Sequence, residues 1–432
     1  MEQNGQRAEQ AGGQEEKRSF SERFFGGDKV LWIIIAILAV VSLLVVYSST
    51  ASMAYRKAGG DTSHYLFNQL KFMVLAFVVI YIVHRVNYQV YFRLALWLFL
   101  LSLGFMALTF FVGVNLNNAQ RWIVIPGVGL TFQPSDFLRV TTVMILAQQL
   151  AIRQSVINKI PILPRIGGTG TRRQGKQTNR DIFFQNTVPL LLPIVLSCGA
   201  IFFSNFSTAA ITFITCYIML YIGRVRVSEL IRLLTMVMAV MIITVAIMSA
   251  ADIGRARTWT NRMKDFAKIE QRDGGSSKDE LQVEQAKIAI ASGGVAGKGP
   301  GNSTQRANLP HSYSDFAYAF IIEEYGIVGA MVVLVLYLWI FFRSILIFQR
   351  CGTAFPSLLV LGLGLMIVLQ AIINMLVSVN LIPVTGQTLP LISLGGSSMI
   401  FTAMALGMIL GVSRQMNEKT IDKPKGESLL ER

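Results

Sequence analysis

The chain has 432 residues, of which 53% are hydrophobic and only 15% are charged, and its formal net charge is +15. Apolar runs of about 20 residues, the length that crosses a hydrocarbon core, recur along it, which excludes a soluble domain and predicts a multi-pass membrane protein. Lys and Arg collect in the cytoplasmic loops of such proteins, so the basic charge does not indicate a nucleic-acid partner. Three cysteines (Cys198, Cys216 and Cys351) without disulfide or zinc-site spacing, and three histidines, argue against a disulfide framework and a histidine-rich metal centre.

In chain order, residues 1–29 form a polar tail ending in a juxtamembrane segment, residues 30–413 a ten-helix membrane domain, and residues 414–432 a second polar tail. The first span is too long, and too far from the first residue, for a cleaved signal peptide. The fold class is therefore an all-α integral membrane protein. Its ten predicted spans are 30–50, 66–84, 92–113, 132–152, 186–203, 207–223, 229–250, 316–342, 355–377 and 395–413.

Basic residues in the short loops set the orientation. The loops on the side of the two termini are rich in Lys and Arg, whereas the opposite short loops hold only Arg56, Lys57 and Arg121. Both termini are therefore predicted to be cytoplasmic. The loop 251–315, between the seventh and eighth spans, is extracytoplasmic and mildly basic, which suits an anionic headgroup or substrate. Within it, Leu281, Gln285 and Ile288 recur at helical spacing and predict a surface helix.

A glycine-rich stretch, SGGVAGKG (Ser292–Gly299), leads towards the eighth span. No strand precedes it, so it does not fit a dinucleotide fingerprint. Glycine exposes backbone N–H groups and permits close approach of a phosphate or a sugar, which makes Ser292, Gly293, Gly294 and Lys298 candidate substrate ligands. A flexible linker explains the composition equally well.

Three carboxylates follow. Asp315 stands where the loop becomes membrane helix, and it is either the N-cap of that helix or a general base whose partial desolvation tunes it. Glu323 and Glu324 lie further in, where an unpaired charge is costly. Because neighbouring helical residues cannot face the same way, at least one of them is interpreted as a member of a structural ion pair.

Earlier in the chain, Asp136 and Arg139 stand one turn apart at the start of the fourth span. They form an internal ion pair or line a polar cavity that receives an anionic substrate. The preceding polar segment adds Arg121, with donors suited to phosphate, and Trp122, with a flat face for a sugar. Near the other end of the chain, Asn374 precedes a Gly- and Pro-rich segment that predicts a re-entrant turn and ends in Ser397 and Ser398.

Taken in order, NNAQRW, PSDFLR, SGGVAGKG with a following LP, SDFAYA, EEYG and PVTGQTLPLISLGGSS resemble the motifs of the SEDS family of bacterial peptidoglycan polymerases. Asp315 matches the family's essential carboxylate, and Asp136 and Arg139 take the places of its Glu and Lys. Three positions depart from the pattern. Tyr313 replaces a common His, Asn205 replaces an Asp, and Leu394 replaces an aromatic residue.

This resemblance implies the SEDS fold and inverting glycosyl transfer, with glycan linked to undecaprenyl pyrophosphate as donor and lipid II as acceptor. Asp315 would be the base, and Arg121, Arg139 and Lys298 would stabilise the leaving pyrophosphate. No cofactor is required, although a divalent cation such as Mg²⁺ at the pyrophosphate remains possible through Asp136 or Glu324. The substrate-binding candidates are Arg121, Trp122, Asp136, Arg139, Ser292, Gly293, Gly294, Lys298, Glu323, Glu324, Asn374, Ser397 and Ser398.

The resemblance also implies a class B penicillin-binding protein as partner, further membrane proteins of the division complex, and the bacterial cytoplasmic membrane as location. The long N-terminal tail and the TLPLIS sequence favour a cell-division member at the septum over a cell-elongation member. The rival class is a lipid II flippase or transporter. Such a protein should show inverted repeats and a midplane site, and the sequence shows no convincing repeat.

Overall fold

The computed structural model describes residues 25–57, 63–116, 119–124, 131–157, 183–250, 278–305, 315–393 and 396–421. Within these ranges each of the ten predicted spans corresponds to one helix, and a further helix, α8, lies in the long loop. The helices are α1 (Lys29–Lys57), α2 (Ser63–Arg85), α3 (Tyr88–Val112), α4 (Pro134–Ile152), α5 (Val188–Ser204), α6 (Phe206–Ile222), α7 (Val227–Ala250), α8 (Lys278–Gly293), α9 (Ala317–Arg350), α10 (Ala354–Ser378) and α11 (Gly396–Ile421).

Eight of the described helices are long and apolar enough to cross a membrane, so the chain is a multi-pass membrane protein. Helix α6 is apolar but has only 17 residues. Helix α4 has 19 residues and carries Asp136 and Arg139, but most of it is buried, so its polar groups face other helices rather than lipid. The described helices are thus consistent with ten spans.

Helices α10 and α11 form the centre of the bundle, because 78% and 83% of their apolar segments are buried. Only 11% of the apolar segment of α7 is buried. Small residues allow the central helices to approach closely. A Cβ added at Gly407 of α11 would lie 2.9 Å from the Cβ of Val83, and one at Gly411 would lie 3.1 Å from the carbonyl oxygen of His84. The backbones of α2 and α11 are therefore in close contact.

Charged residues tie helices together at the end of the bundle where α1 begins, which we call the Asp28 end. Asp28 Oδ1 accepts hydrogen bonds from the N–H groups of Val30 (3.0 Å) and Leu31 (3.1 Å) and so caps α1. Its other oxygen, Oδ2, accepts from Arg343 Nε of α9 at 2.8 Å. The opposite end, where α9 and α11 begin, we call the Asp315 end.

A small sheet, absent from the all-α prediction, lies at the Asp315 end between α3 and α4. Strand β1 (Val114–Leu116) pairs antiparallel with β2 (Ala119–Val124), which pairs antiparallel with β3 (Thr131–Phe132). The strands are too short for an alternating pattern to stand out from the flanking apolar helices. The ring of Phe132 packs 5.5 Å from those of Phe105 and Phe401, which joins the sheet to α3 and α11.

The predicted surface helix in the long loop is present as α8, but its buried face differs from the expected one. Leu281 and Ile288 are 44% and 46% exposed, whereas Val283, Ala286 and Ala289 are buried. Helix α8 packs on an apolar group that we call the outer cluster. Its buried members are Val283, Ala286, Phe316, Ala319 and Val377, and Ile290, Ile373, Ile382 and Val384 pack against them.

Candidate active site

Helix α9 is broken at Gly326, two residues after the second of its two glutamates. Gly326 has φ 67° and ψ −170°, a conformation that is essentially restricted to glycine. The break leaves a short first segment that begins beside Asp315 and a long second segment that crosses the bundle. The glycine of the EEYG sequence is therefore required by the backbone.

The glycine-rich stretch supplies the hydrogen bonds that this break removes. We call residues 293–305 the strap. The N–H groups of Lys298 and Gly299 donate to the carbonyl oxygens of Glu323 (3.0 Å) and Glu324 (2.9 Å). In return, the N–H of Ile327 donates to the carbonyl oxygen of Gly294 at 3.1 Å. Main-chain groups orphaned by the break thus find partners on the strap, as buried backbone groups require.

The strap glycines are needed for this contact, because backbone meets backbone without room for a side chain. A Cβ at Gly293 would lie 2.1 Å from the carbonyl oxygen of Ile322, and one at Gly297 would lie 2.2 Å from that of Glu324. Ser292 Oγ donates to the Ala289 carbonyl within α8. At Gly294, by contrast, a Cβ would meet no described atom within 4 Å. Substrate binding by Ser292, Gly293 and Gly294 stays a prediction, but the close approach of Gly293 is to the chain itself.

Glu323 fastens the strap through its side chain. The carboxylate is buried, and its Oε1 accepts from Lys298 Nζ (2.9 Å) and from the N–H (2.9 Å) and hydroxyl (3.0 Å) of Thr304. Its Oε2 accepts from Ser303 Oγ. The structure therefore contains a glutamate ion pair, and its cation comes from the strap rather than from another span. Lys298 is engaged in this pair, and its proposed contact with pyrophosphate stays a prediction.

Glu324 points towards a different element. Its Oε1 accepts from the N–H of Gly301 at 3.1 Å and from the hydroxyl of Ser48 on α1. Both neighbouring glutamates thus accept hydrogen bonds from the strap, and Glu324 also accepts one from α1.

Asp315 precedes this assembly, at the mouth of the bundle. The N-cap residue of α9 is Phe316, one position after Asp315, and both roles predicted for the Asp315 carboxylate stay predictions. The Asp315 carbonyl oxygen accepts from Asn374 Nδ2 at 3.0 Å, and the same amide donates to the Gln387 carbonyl at 2.7 Å. The Asp315 residue is half-buried. Its backbone is therefore fixed to α10 and to the turn that follows α10.

Arg139 is buried in α4, at 2% exposure, and its side chain contacts α10. Its NH1 donates to Gln370 Oε1 at 2.9 Å and lies 3.9 Å from Asp136 Oδ1, so the predicted ion pair exists but is loose. Its Nε and NH2 have no hydrogen-bond partner among the described residues. Asp136 also lies close to Ser398 of α11. The guanidinium thus keeps two donor nitrogens that no described residue uses.

These contacts join several predicted residues into one group, which we call the polar cluster. Gln370 Nε2 donates to the Thr388 carbonyl at 2.9 Å, and the Thr388 hydroxyl lies 3.4 Å from Ser398 Oγ. Ser397 Oγ accepts from the N–H of Gln133 at 3.2 Å. The members of the polar cluster are Asp136, Arg139, Gln370, Asn374, Gln387, Thr388 and Ser398.

Sequence reasoning missed three members of the polar cluster, namely Gln370, Gln387 and Thr388. Gln370 had a usable signal, because it stands four residues before Asn374 in a span that is otherwise almost wholly apolar. Gln387 also reaches α6, where its Nε2 donates to Thr208 Oγ1 at 2.7 Å. Asn205, the departure from the family pattern, is buried three residues earlier.

Some predicted residues are not brought into this group. Trp122 lies in β2 and is half-buried. Arg121 is also in β2, but its side chain falls outside the described part of the chain, as do Tyr313 and Leu394. Among the described residues no group of three or more His, Cys, Asp or Glu could hold a metal ion, and the possible divalent cation stays a prediction.

The chain is similar to several known proteins. The model of the family described as "Cell cycle protein" (FTSW_RODA_SPOVE) matches residues 28–418. A probable peptidoglycan glycosyltransferase FtsW of Aliivibrio salmonicida is 27% identical over 92% of this chain and 91% of its own. The stage V sporulation protein E of Bacillus subtilis is 28% identical over 90% of this chain and 97% of its own.

Two solved structures share the fold. A peptidoglycan synthase complex that coordinates polymerization and crosslinking contains a chain that matches with a TM-score of 0.66 at 21% identity, over 90% of this chain and 98% of that one. The rod shape determining protein RodA of Thermus thermophilus matches with a TM-score of 0.58 at 20% identity, over 91% of this chain and 99% of that one. The chain therefore belongs to the FtsW/RodA/SpoVE family, also called SEDS.

Proposed function

We propose that the chain is a peptidoglycan glycosyltransferase that polymerises lipid II at the outer face of the bacterial cytoplasmic membrane. The observation that carries the proposal is the link from Asp315 through Asn374 to the polar cluster, in which a buried Arg139 retains donors. The names of the relatives, probable peptidoglycan glycosyltransferases, support the same reaction class.

In the proposed reaction, the Asp315 carboxylate takes the proton from the 4-hydroxyl of the lipid II acceptor. That oxygen attacks the anomeric carbon of the donor glycan, and the bond from this carbon to the undecaprenyl pyrophosphate breaks. The electron pair leaves with the pyrophosphate. A single base acting opposite the leaving group gives inversion at the sugar carbon.

Arg139 would stabilise the charge that develops on the leaving pyrophosphate. A guanidinium offers several N–H donors in a fixed fork that fits phosphate oxygens, and low local dielectric strengthens the contact. If a divalent cation takes part, Asp136 is the nearest carboxylate to Arg139 that could help to hold it.

The family context extends the proposal to partners and location. A peptidoglycan synthase complex among the structural matches supports a class B penicillin-binding protein as transpeptidase partner. The FtsW names among the relatives support a role in cell division at the septum. The basic residues in the short loops support cytoplasmic termini.

Substitution of Asp315 tests the proposal directly. We expect Asp315→Asn, purified with its partner and supplied with lipid II, to form no glycan polymer while its thermal unfolding stays close to that of the wild type. Glu284→Gln, at an exposed carboxylate of α8, is the matched control and should polymerise normally. Wild-type rates in Asp315→Asn would refute the base. A wild-type protein that moves lipid II across vesicles without forming polymer would favour the transporter instead.

A further inference from the structure

The turn that follows α10 is connected to both proposed functional groups through its first two carbonyl oxygens. We call residues 387–393 the inner turn. Its first carbonyl accepts from Asn374 Nδ2 at 2.7 Å, and the same amide nitrogen donates to the Asp315 carbonyl at 3.0 Å. Its second carbonyl accepts from Gln370 Nε2 at 2.9 Å, and Gln370 Oε1 accepts from Arg139 at 2.9 Å. The inner turn is thus the element to which the Asp315 backbone and the Arg139 guanidinium are both fixed.

The inner turn holds a backbone conformation that its own sequence does not favour. Leu391 has φ +63°, which a leucine rarely adopts because its Cβ crowds the following carbonyl. Such a residue persists only where the surrounding structure holds it. The carbonyls on either side of Leu391 are both bonded to helices. Pro390 accepts from the hydroxyl of Tyr337 on α9, and Ile392 accepts from Ser42 Oγ of α1 at 2.9 Å.

The two hydroxyls that hold the inner turn are themselves fixed in place. Tyr337 and Ser42 are fully buried, so neither hydroxyl is exposed to water. Ser42 Oγ also accepts from Gln69 Nε2 of α2 at 2.8 Å, and its own proton is therefore directed to the inner turn. Side chains of α1, α2, α9 and α10 thus combine to set the position of one short segment.

We infer that Tyr337 and Ser42 are positioning residues, which set the placement of Asp315 relative to Arg139 through the inner turn. The inference rests on the proposed function and adds the element that aligns its two groups. In that reaction, Asp315 takes a proton from the acceptor while Arg139 receives the charge of the leaving group. Because both must be aligned at the same moment, a small shift of the inner turn lowers the rate of the chemical step more than it weakens substrate binding.

Steady-state kinetics of the full chain with its partner test this role, with lipid II as the varied substrate. We expect Tyr337→Phe to lower kcat by about 10- to 100-fold with KM nearly unchanged, since a misplacement of about 1 Å can cost about 10²-fold. Ser42→Ala should lower kcat by a smaller factor, because the bond to Pro390 remains. The matched control is Tyr91→Phe, which removes a tyrosine hydroxyl bonded to the Val83 carbonyl at the Asp28 end and should keep the wild-type kcat.

A double-mutant cycle separates positioning from a general loss of stability. Gln370→Leu breaks the link between Arg139 and the inner turn. In that background, Tyr337→Phe should lower kcat by a smaller factor than in the wild type, because two changes in one network are not additive. Equal factors in both backgrounds would show that the Tyr337 hydroxyl does not act through the inner turn.

Hydrogen exchange tests the inner turn without reference to turnover. The N–H groups of Ile392 and Ser393 donate to the Leu389 carbonyl at 3.2 and 3.0 Å, within the inner turn. Their exchange with deuterium should be faster in Tyr337→Phe than in Tyr91→Phe, because the first change loosens this segment. Equal exchange in the two variants would overturn the inference.

The outcomes also separate the positioning role from the proposed function. If the wild type polymerises lipid II and both Tyr337→Phe and Ser42→Ala keep its kcat, the positioning role is wrong, even if their melting temperatures fall. A wild type that forms no polymer contradicts the proposed function itself. If Tyr337→Phe fails to accumulate in the membrane, the kcat of Ser42→Ala decides.

Discussion

The strap and the polar cluster lie at the same end of the bundle, but they differ in how completely their buried charged groups are hydrogen-bonded. Around Glu323, donors from Lys298, Ser303 and Thr304 occupy both carboxylate oxygens. Around Arg139, one nitrogen has a close partner and two have none among the described residues. Saturated charge is typical of a structural joint, and unsatisfied buried charge is typical of a site that awaits a ligand.

The largest effect is expected where the saturated charge is removed. Glu323→Ala leaves Lys298, Ser303 and Thr304 without their acceptor, and each hydrogen bond to a charged group contributes about 1.5–3 kcal/mol. We expect a lower melting temperature in detergent or failure to accumulate in the membrane. Glu323→Gln, which keeps the shape, should fall less far. Wild-type melting of Glu323→Ala would show that the strap is not a structural joint.

A smaller effect on folding, and a large one on turnover, is expected at Arg139. Arg139→Gln removes a poorly paired charge, and we expect it to lower kcat by about 10²–10³-fold, the range seen when a donor to developing charge is lost. Its melting temperature should fall less than that of Glu323→Ala, because the pair with Asp136 is loose at 3.9 Å. Arg139→Lys should recover part of the activity. Retained turnover with lost stability would make Arg139 structural.

The smallest effect is expected at the tie between the strap and α1. Ser48→Ala removes one hydrogen bond to Glu324, while the N–H of Gly301 remains bonded to the same oxygen. A hydrogen bond to a charged group contributes about 1.5–3 kcal/mol, and the remaining donor should hold the loss near the lower value. Thermal unfolding measures this loss. A fall as large as that of Glu323→Ala would mean that α1, rather than the strap lysine, anchors the glutamates.

The parts of the fold that depend on long apolar runs could be predicted from the sequence, because a span of 20 residues leaves a clear signal. All ten predicted spans correspond to helices. The three-stranded sheet could not be predicted, since strands as short as Thr131–Phe132 carry too few residues for a pattern. The buried face of α8 was also missed, because the helical spacing that predicted the helix runs through Leu281 and Ile288, which are exposed, whereas Val283, Ala286 and Ala289 are buried.

The candidate site was likewise predicted only in part from the sequence. Motif order identified Asp315, Asp136 and Arg139 and predicted that they would share a site, but the residues that connect them were not predicted. Gln370 reaches Arg139 across 231 residues of sequence. The bond from Asn374 to the Gln387 carbonyl depends on how the turn after α10 folds back onto that helix. The glycines of the strap also had two readings, since composition does not reveal that Gly293 and Gly297 face a break at Gly326.

The strap has a consequence for local opening of the protein. The amides of Lys298, Gly299 and Thr304 lie in a loop by sequence, yet all three donate to main-chain or side-chain oxygens of α9 residues. Their exchange with deuterium should therefore follow the opening of α9 rather than that of the loop surface. A segment rich in glycine would then exchange as slowly as the helix beside it, and rigidity here would come from the partner rather than from composition.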